Sequence, residues 1–471
     1  MRSDKLQDAI GMVDADLVER TEKTKMYKPR WTAAVAAVLV IAVVVGLYFG
    51  KGSPLAMEVT ALAEAVYPEM APYPTGEALP GFEDRYTAWN DSKKALREFR
   101  GAGKDLDAFF AATIAEFLAD SESKNLVYSP LNVYMALAML AETTEGESRA
   151  QILSLLGTDS IEALRTQAHA VWNANYSDDG AVTSILASSL WLNESVAFRK
   201  ETLDTLAKNY YASSYRGNMG DAAFADAMQA WINEQTGGLL EEYVSDIDLT
   251  PNTVMALIST IYFQAKWENE FNERYTEEKT FHAASGDVPC DFMHSTDVYG
   301  SYFWGEKFGA SRIRLEHSGA MWFLLPDEGV SIEELLCDEQ ALDFMCANGN
   351  WENQKTLRIN FSVPKFDVKS RIDLAAGLQN LGVTDCFGAD TADFSPLVTK
   401  EQPIWLDKVE HGARVKIDEE GVTAAAYTVM MMAGAAMPPE DEMDFTLDRP
   451  FLFVITGTDG LPLFVGAVNQ P

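Results

Sequence analysis

"NLVYSPLNVYMALAMLAETTEGESRAQILSLLG", Asn125 to Gly157, is the run on which the fold turns. From Leu131 to Leu140 it is apolar almost all round, unlike an amphipathic surface helix, so this helix is expected to lie buried on every side. Just upstream, "LDAFFAATIAEFLADSES" (106–123) places Phe109, Ile114, Phe117 and Leu118 on one helical face, and dense globular patterning begins near Leu106. Downstream, "ILASSLWLN" (185–193) reads as a strand, and "AFADAMQAWINEQTGGLL" as a helix that ends at Gly237 and Gly238. "TVMALISTIYFQAKW" (253–267), rich in β-branched and aromatic residues, reads as a central strand. Later strands are expected in "GAMWFLLP", "LRINFSVPKF", "IWLDKVEHGARVKI" (404–417) and "RPFLFVITGTDGLPLFVGAV" (449–468). Helices early, strands late and no βαβ alternation predict an α+β domain built on largely antiparallel sheets. No internal repeat is present.

With 471 residues, 47% of them hydrophobic, and 10 Trp and 24 Phe, the chain can fill one large mixed domain with appendages. Its 71 acidic residues against 37 basic give a net charge of −34, which argues against nucleic acid and against docking on anionic lipid. Cys290, Cys337, Cys346 and Cys386 are too few and too scattered for a disulfide framework, and no CxxC points to a metal knuckle.

"WTAAVAAVLVIAVVVGLYFG", Trp31 to Gly50, carries no charge over 20 residues, enough to cross a bilayer of about 30 Å as a helix. Lys23, Lys25, Lys28 and Arg30 precede it and only Lys51 follows closely, so residues 1–30 are expected in the cytoplasm and the rest outside. The rival reading is a cleaved signal peptide, which would leave a secreted protein, but no convincing A-x-A site follows the run. Residues 51–105, with Pro68, Pro72, Pro74 and Pro80, read as a stalk or a wrap-around extension.

A second long stretch lies near the C-terminus: "IDEEGVTAAAYTVMMMAGAAMPP", Ile417 to Pro439, an uncharged run from Gly421 to Met437, followed after the two prolines by "EDEMD". It reads neither as an amphipathic helix nor as a clean core strand. Enzyme motifs are missing: the five histidines, His169, His282, His294, His317 and His411, form no metal-spaced pair, and no GxSxG, GxxxxGK[ST] or GxGxxG occurs. Neither a metal nor a cofactor is expected.

From about Leu106 to Pro471 the chain resembles the serpin family of serine protease inhibitors. "NLVYSPLNVYMALAML" is similar to the family's N-x-x-x-SP helix, "GESRAQILSLLG" to its continuation, and "WINEQTGGLL" to W-V-x-x-x-T-x-G-x-I. "STIYFQAKWENEF" resembles N-A-I-Y-F-K-G-x-W-x-x-x-F, and "FLLPDE", "VPKF", "LGVTDCF", "ADFSPL", "RPFLFVI" and "LPLFVGAVNQP" fall in the family's order. The resemblance implies a metastable serpin domain at 106–471, with three β-sheets, about nine helices and an exposed reactive-centre loop. It also implies that a serine protease cuts this loop, is held as a covalent acyl-enzyme, and is dragged across the molecule as the loop inserts into the central sheet. At about 3.3 Å per residue, some 15 inserted residues would move it roughly 50 Å.

The uncharged run then reads as the loop. Glu419 and Gly421 match the family's E-x-G, and a glycine suits a hinge because it tolerates almost any backbone angle. On insertion, strand alternation turns Val422, Ala424 and Ala426 inward, with Thr423 and Ala425 outward, so no inward position is charged. The family usually has Thr or Ser at Val422 and an acid at Thr423. The family's usual loop length, counted from Gly421, implies a scissile bond at Ala435–Ala436, with alternatives from Met432 to Met437; all are small or unbranched apolar, so an elastase-like or subtilisin-like protease is the expected partner.

The resemblance also assigns control of sheet opening. His411 matches the family's buried histidine, whose partners correspond to Ser129, Asn132 and Ser259, and Trp267 matches the tryptophan beneath the point of insertion. The whole implies a monomeric suicide-substrate inhibitor, not an enzyme, on the outer face of a bacterial membrane. The alternative is a non-inhibitory serpin serving as a binding or structural module. Glu440, Asp441 and Glu442 read either as an exosite or as a solvated turn.

Overall fold

A computed structural model of the chain describes residues 59–74, 80–119, 124–240, 249–400, 404–406, 409–422 and 441–471. The membrane-spanning segment expected at 31–50 and most of the expected loop, 423–440, lie outside them. Among the described residues no helix is long and apolar enough to cross a membrane.

Two sheets organise the described fold. The first runs in the order β1 (Thr60–Ala63), β5 (Ala212–Gly217), β4 (Thr183–Asn193), β6 (Met255–Lys266), β14 (Gly421–Val422), β13 (Glu410–Ile417), β12 (Phe366–Asp373), with β3 (Ser177–Asp178) beside β4. The second runs β15 (Glu442–Thr446), β11 (Gln354–Pro364), β8 (Gly286–Trp304), β9 (Phe308–Arg314), β10 (Ala320–Pro326), β16 (Phe451–Thr456), β17 (Pro462–Val468), β2 (Leu126–Tyr128), with β7 (Glu277–Ala283) beside β8. Only β4–β5 and β11–β15 pair in parallel among the described strands. The α+β architecture read from the sequence is therefore the one observed.

Where the resemblance implied three sheets, hydrogen bonding joins two of them through the 19-residue β8. Its first half pairs with β7, its middle with β11, and its last residues Phe303 and Trp304 with β9. The strand expected over 404–417 is shorter than its sequence pattern: Ile404–Leu406 carry no strand pairing, and β13 begins at Glu410.

Ten α-helices occur among the described residues: α1 (Phe82–Arg97), α2 (Asp107–Leu118), α3 (Pro130–Thr143), α4 (Gly146–Leu155), α5 (Ile161–Asn175), α6 (Lys200–Asn209), α7 (Ala222–Gln235), α8 (Ile332–Leu336), α9 (Glu339–Cys346) and α10 (Ala375–Asn380). Ser129 caps α3, its Oγ accepting from the Asn132 amide at 3.3 Å, and Pro130 fills the first turn, where a missing N–H costs nothing. Every residue of α3 except Ala136 is buried, as its all-round apolar pattern requires. α7 stops where Gly237 and Gly238 adopt left-handed φ values of 58° and 79°.

Val59 to Pro471 forms one compact unit, so the described residues from Val59 to Asp105 belong with the body that follows them. β1 adds an edge strand to β5, with Thr60 opposite Arg216. Tyr67 lays its ring 5.3 Å from Trp172 and 5.9 Å from Tyr176. Further on, the Gly101 amide donates to Asp459 Oδ1 at 2.7 Å, and Ala102 O accepts from Gln167 Nε2 at 3.2 Å. This described stretch is a strap along the body.

Candidate functional site

β13 ends in a tight turn built by Asp418. Its Oδ1 accepts from the amides of Glu420 (3.1 Å) and Gly421 (3.3 Å), and its own amide donates to Gly421 O at 3.1 Å. The chain reverses and Gly421–Val422 enter the first sheet as β14. Val422 pairs with Ile417 of β13 and with Ala265 of β6, and Gly421 pairs with Lys266. Among the described residues no pair joins β6 to β13 directly; β14 lies between them. Val422 is buried in the hydrophobic core.

Gly421 is required for a different reason from the one its hinge position suggests. Its φ is not in the left-handed region. A Cβ there would instead lie 2.4 Å from Ala265 O and 2.7 Å from Lys266 Cα, so β6 passes too close for any side chain.

The turn is seated from below and from the side. Trp267, 1% exposed, donates from Nε1 to Asp418 O at 2.8 Å and from its amide to Glu420 O at 3.0 Å. The Phe271 amide donates to Glu419 O at 2.9 Å. Glu419 Oε1 accepts from Thr276 Oγ1 at 2.7 Å and pairs with Lys365 Nζ at 2.6 Å. Burial opposes ionisation of this carboxyl, yet the Lys365 and Thr276 hydrogen bonds outweigh it and hold the group below the usual carboxylate range.

Beneath the middle of the sheet, the first turn of α3 grips both strands that flank β14. On the β13 side, His411 Nε2 accepts from the Ser129 amide at 3.0 Å, which places the neutral ring's proton on Nδ1. On the β6 side, Asn132 Nδ2 donates to Ser259 O at 3.1 Å, Ser259 Oγ donates to Asn132 Oδ1, and Ser188 Oγ lies 3.2 Å from Ser259 Oγ. The resemblance implied one cluster around the histidine. The structure brings Ser129, Asn132, Ser259 and His411 together as two linked pairs, with the Ser129 backbone rather than its hydroxyl bonded to His411.

Burial lowers the His411 pKa from 6.5 to about 4, so the folded state holds it neutral while the unfolded chain takes up a proton near 6.5. The sign follows: the neutral ring's contribution is whole above pH 6.5 and is lost as pH falls towards 4, by about 3 kcal/mol in all. Urea midpoints should drop across that window more steeply in the native chain than in His411→Gln. Parallel profiles would remove His411 as the cause.

Thr423, Ala424, Ala425 and Ala426, and the bond at Ala435–Ala436, lie outside the described residues, as does Glu440. Asp441 and Glu442 are exposed and ion-paired. Asp441 pairs with Lys355 at 2.6 Å and Glu442 with Arg358 at 3.1 Å, and Asn360 Nδ2 donates to both Glu442 and Asp444 as β15 lies along β11. All four cysteines are free. Burial pushes the thiols of Cys290 to about 11 and of Cys346 and Cys386 to about 12. The side chains that sequence reasoning missed are Asp418, Thr276, Lys365 and Ser188. Only Asp418, directly before the E-x-G, carries a local signal, as a turn-forming residue.

The first sheet thus holds a two-residue strand between two longer ones, beside a turn fixed by Trp267, Phe271, Thr276 and Lys365. A family model described as "Serpin (serine protease inhibitor)" matches residues 105–471, and the chain belongs to that family. It is 28% identical over 376 residues to alpha-1-antiproteinase of Bos taurus, covering 77% of this chain and 87% of that one. To Serpin-ZX of Arabidopsis thaliana it is 27% identical over 366 residues, covering 74% and 93%. Among solved structures, the thermophilic serpin tengpin in its native state superposes with a TM-score of 0.67 at 26% identity, covering 80% of this chain and 95% of that one.

Proposed function

We propose that this serpin is a suicide-substrate inhibitor of serine proteases with a small or apolar primary specificity, elastase-like or subtilisin-like. The observation that carries the reading is β14: the hinge is seated between β6 and β13 with Val422 turned into the core, and the chain continues from it into a segment free of charge. Each further inward position would be buried without an ion to desolvate. Ala435–Ala436 is the proposed scissile bond. Residues 31–50 are proposed to hold the chain in a bacterial membrane with the serpin domain outside, where a monomeric inhibitor meets foreign proteases.

The test is to incubate the full chain, in detergent, with a pancreatic-type elastase and with a subtilisin, followed by denaturing electrophoresis and mass spectrometry. A covalent complex and a new N-terminus at Ala436 are expected. Clean cleavage with fully active protease, and no gain in heat stability of the cut chain, would turn the reading to the non-inhibitory alternative. Fractionation tests the tether separately: recovery of the protein as a soluble cytosolic species would sink it.

A further inference from the structure

The strap before Leu106 lies outside the part of the chain that the family match covers, and its far end is bolted into the body by a buried ion pair. Lys93 Nζ meets Asp179 Oδ2 at 3.0 Å, and Trp89 Nε1 donates to the same oxygen at 2.9 Å. Asp179 Oδ1 accepts from the amides of Ala181 and Val182, and Asp179 O accepts from the Tyr73 amide at 2.7 Å. Trp89, Lys93 and Asp179 are all buried, and a buried carboxylate persists only when it is so fully partnered.

The bolt also holds a hairpin tip. His317, between β9 and β10, has a left-handed φ of 56°, uncommon for a residue with a side chain. Its ring lies 4.6 Å from that of Tyr73 and 5.3 Å from that of Trp89, and its carbonyl accepts from Lys93 Nζ at 3.4 Å. The adjoining residues of the hairpin reach the loop seat. Leu315 bridges to Trp267, the Glu316 amide donates to Lys266 O at 2.8 Å, and the Glu268 amide donates to Arg314 O at 2.9 Å. Lys266 pairs with Gly421, and Trp267 carries the carbonyls of Asp418 and Glu420. One contiguous set of contacts thus runs from the strap through His317 to the hinge.

We propose that Trp89 and Lys93 are positioning residues for the loop seat, acting through His317 and the Leu315–Gly319 hairpin. The proposal deepens the inhibitor reading and rests on β14 being the place where insertion begins. Tyr67 supplies the comparison: its ring anchors the same strap against Trp172 and Tyr176, whereas the rings against His317 are those of Tyr73 and Trp89.

The experiment uses the full chain and the variants Trp89→Ala, Trp89→Phe, Lys93→Met and Tyr67→Ala. Amide exchange is followed at 265–268 and 418–422, together with the number of inhibitor molecules consumed per protease trapped. Trp89→Ala and Lys93→Met are expected to speed exchange at the seat by about tenfold. In the same variants consumption should rise about threefold, as insertion slows against hydrolysis of the acyl-enzyme. Trp89→Phe should restore most of both, and Tyr67→Ala should change neither. Unaltered exchange at the seat in Trp89→Ala, or equal acceleration in Tyr67→Ala, overturns the proposal. If Lys93→Met does not fold, the two Trp89 variants decide. A native chain that traps no protease defeats the inhibitor reading alone, since the exchange comparison still decides whether the strap positions the seat.

Discussion

Gly421→Val is expected to abolish trapping while leaving the chain folded and cleavable. The new Cβ would stand 2.4 Å from Ala265 O and 2.7 Å from Lys266 Cα. Both are backbone atoms, so neither can yield by a rotamer change, and β6 is held by β4 from Met255 up to Gln264, directly before them. Overpacking of this kind costs roughly 1–3 kcal/mol, enough to drive a two-residue strand out of its seat. With the hinge displaced, a protease would cut the loop and leave before insertion could start. Complex formation at the native ratio, seen on a denaturing gel, would rule out the close approach as the reason for glycine.

The second large effect is expected from Glu419→Lys. The carboxylate is nearly enclosed, and its Oε1 serves both Lys365 and Thr276. The substitution removes that acceptor and sets one ammonium against another, at a cost of roughly 2–3 kcal/mol, since Lys365 keeps partial access to water. A lower urea midpoint and self-association through the loosened sheet are the expected signs. Adding Lys365→Glu should recover a large part of the loss, and the double-mutant cycle measures the coupling. Additive losses would mean that the pair does not act as one.

Periodicity alone exposed the parts of this fold that obey one rule throughout. The buried helix α3 and the core strands β10, β16 and β17 are nearly uniform in character, so pattern and structure coincide there. β13 breaks that rule: the apolar pattern of "IWL" continues upstream of its pairing, and ladder hydrogen bonds, which have no signature of their own, decide where the strand begins. The seat was legible in part. Glu419, Gly421 and Trp267 stand in motifs, but Thr276 is 143 residues from Glu419, and no local pattern announces a contact made across such a separation. The need for glycine was visible, while its cause, a neighbouring backbone, was not. His411 was legible through the family resemblance, yet its bond goes to a backbone amide, and side-chain identity cannot reveal that.

The last three strands of the second sheet, β15 to β17, follow the loop in the chain, and Phe451 to Thr456 and Pro462 to Val468 are buried throughout. A cut anywhere in residues 423–440 would therefore turn the molecule into a noncovalent heterodimer whose subunit interface is its own hydrophobic core. Such a pair cannot dissociate without unfolding. The short partner would remain in place as a permanent subunit, and no cargo joined to the long one could be freed by shedding it.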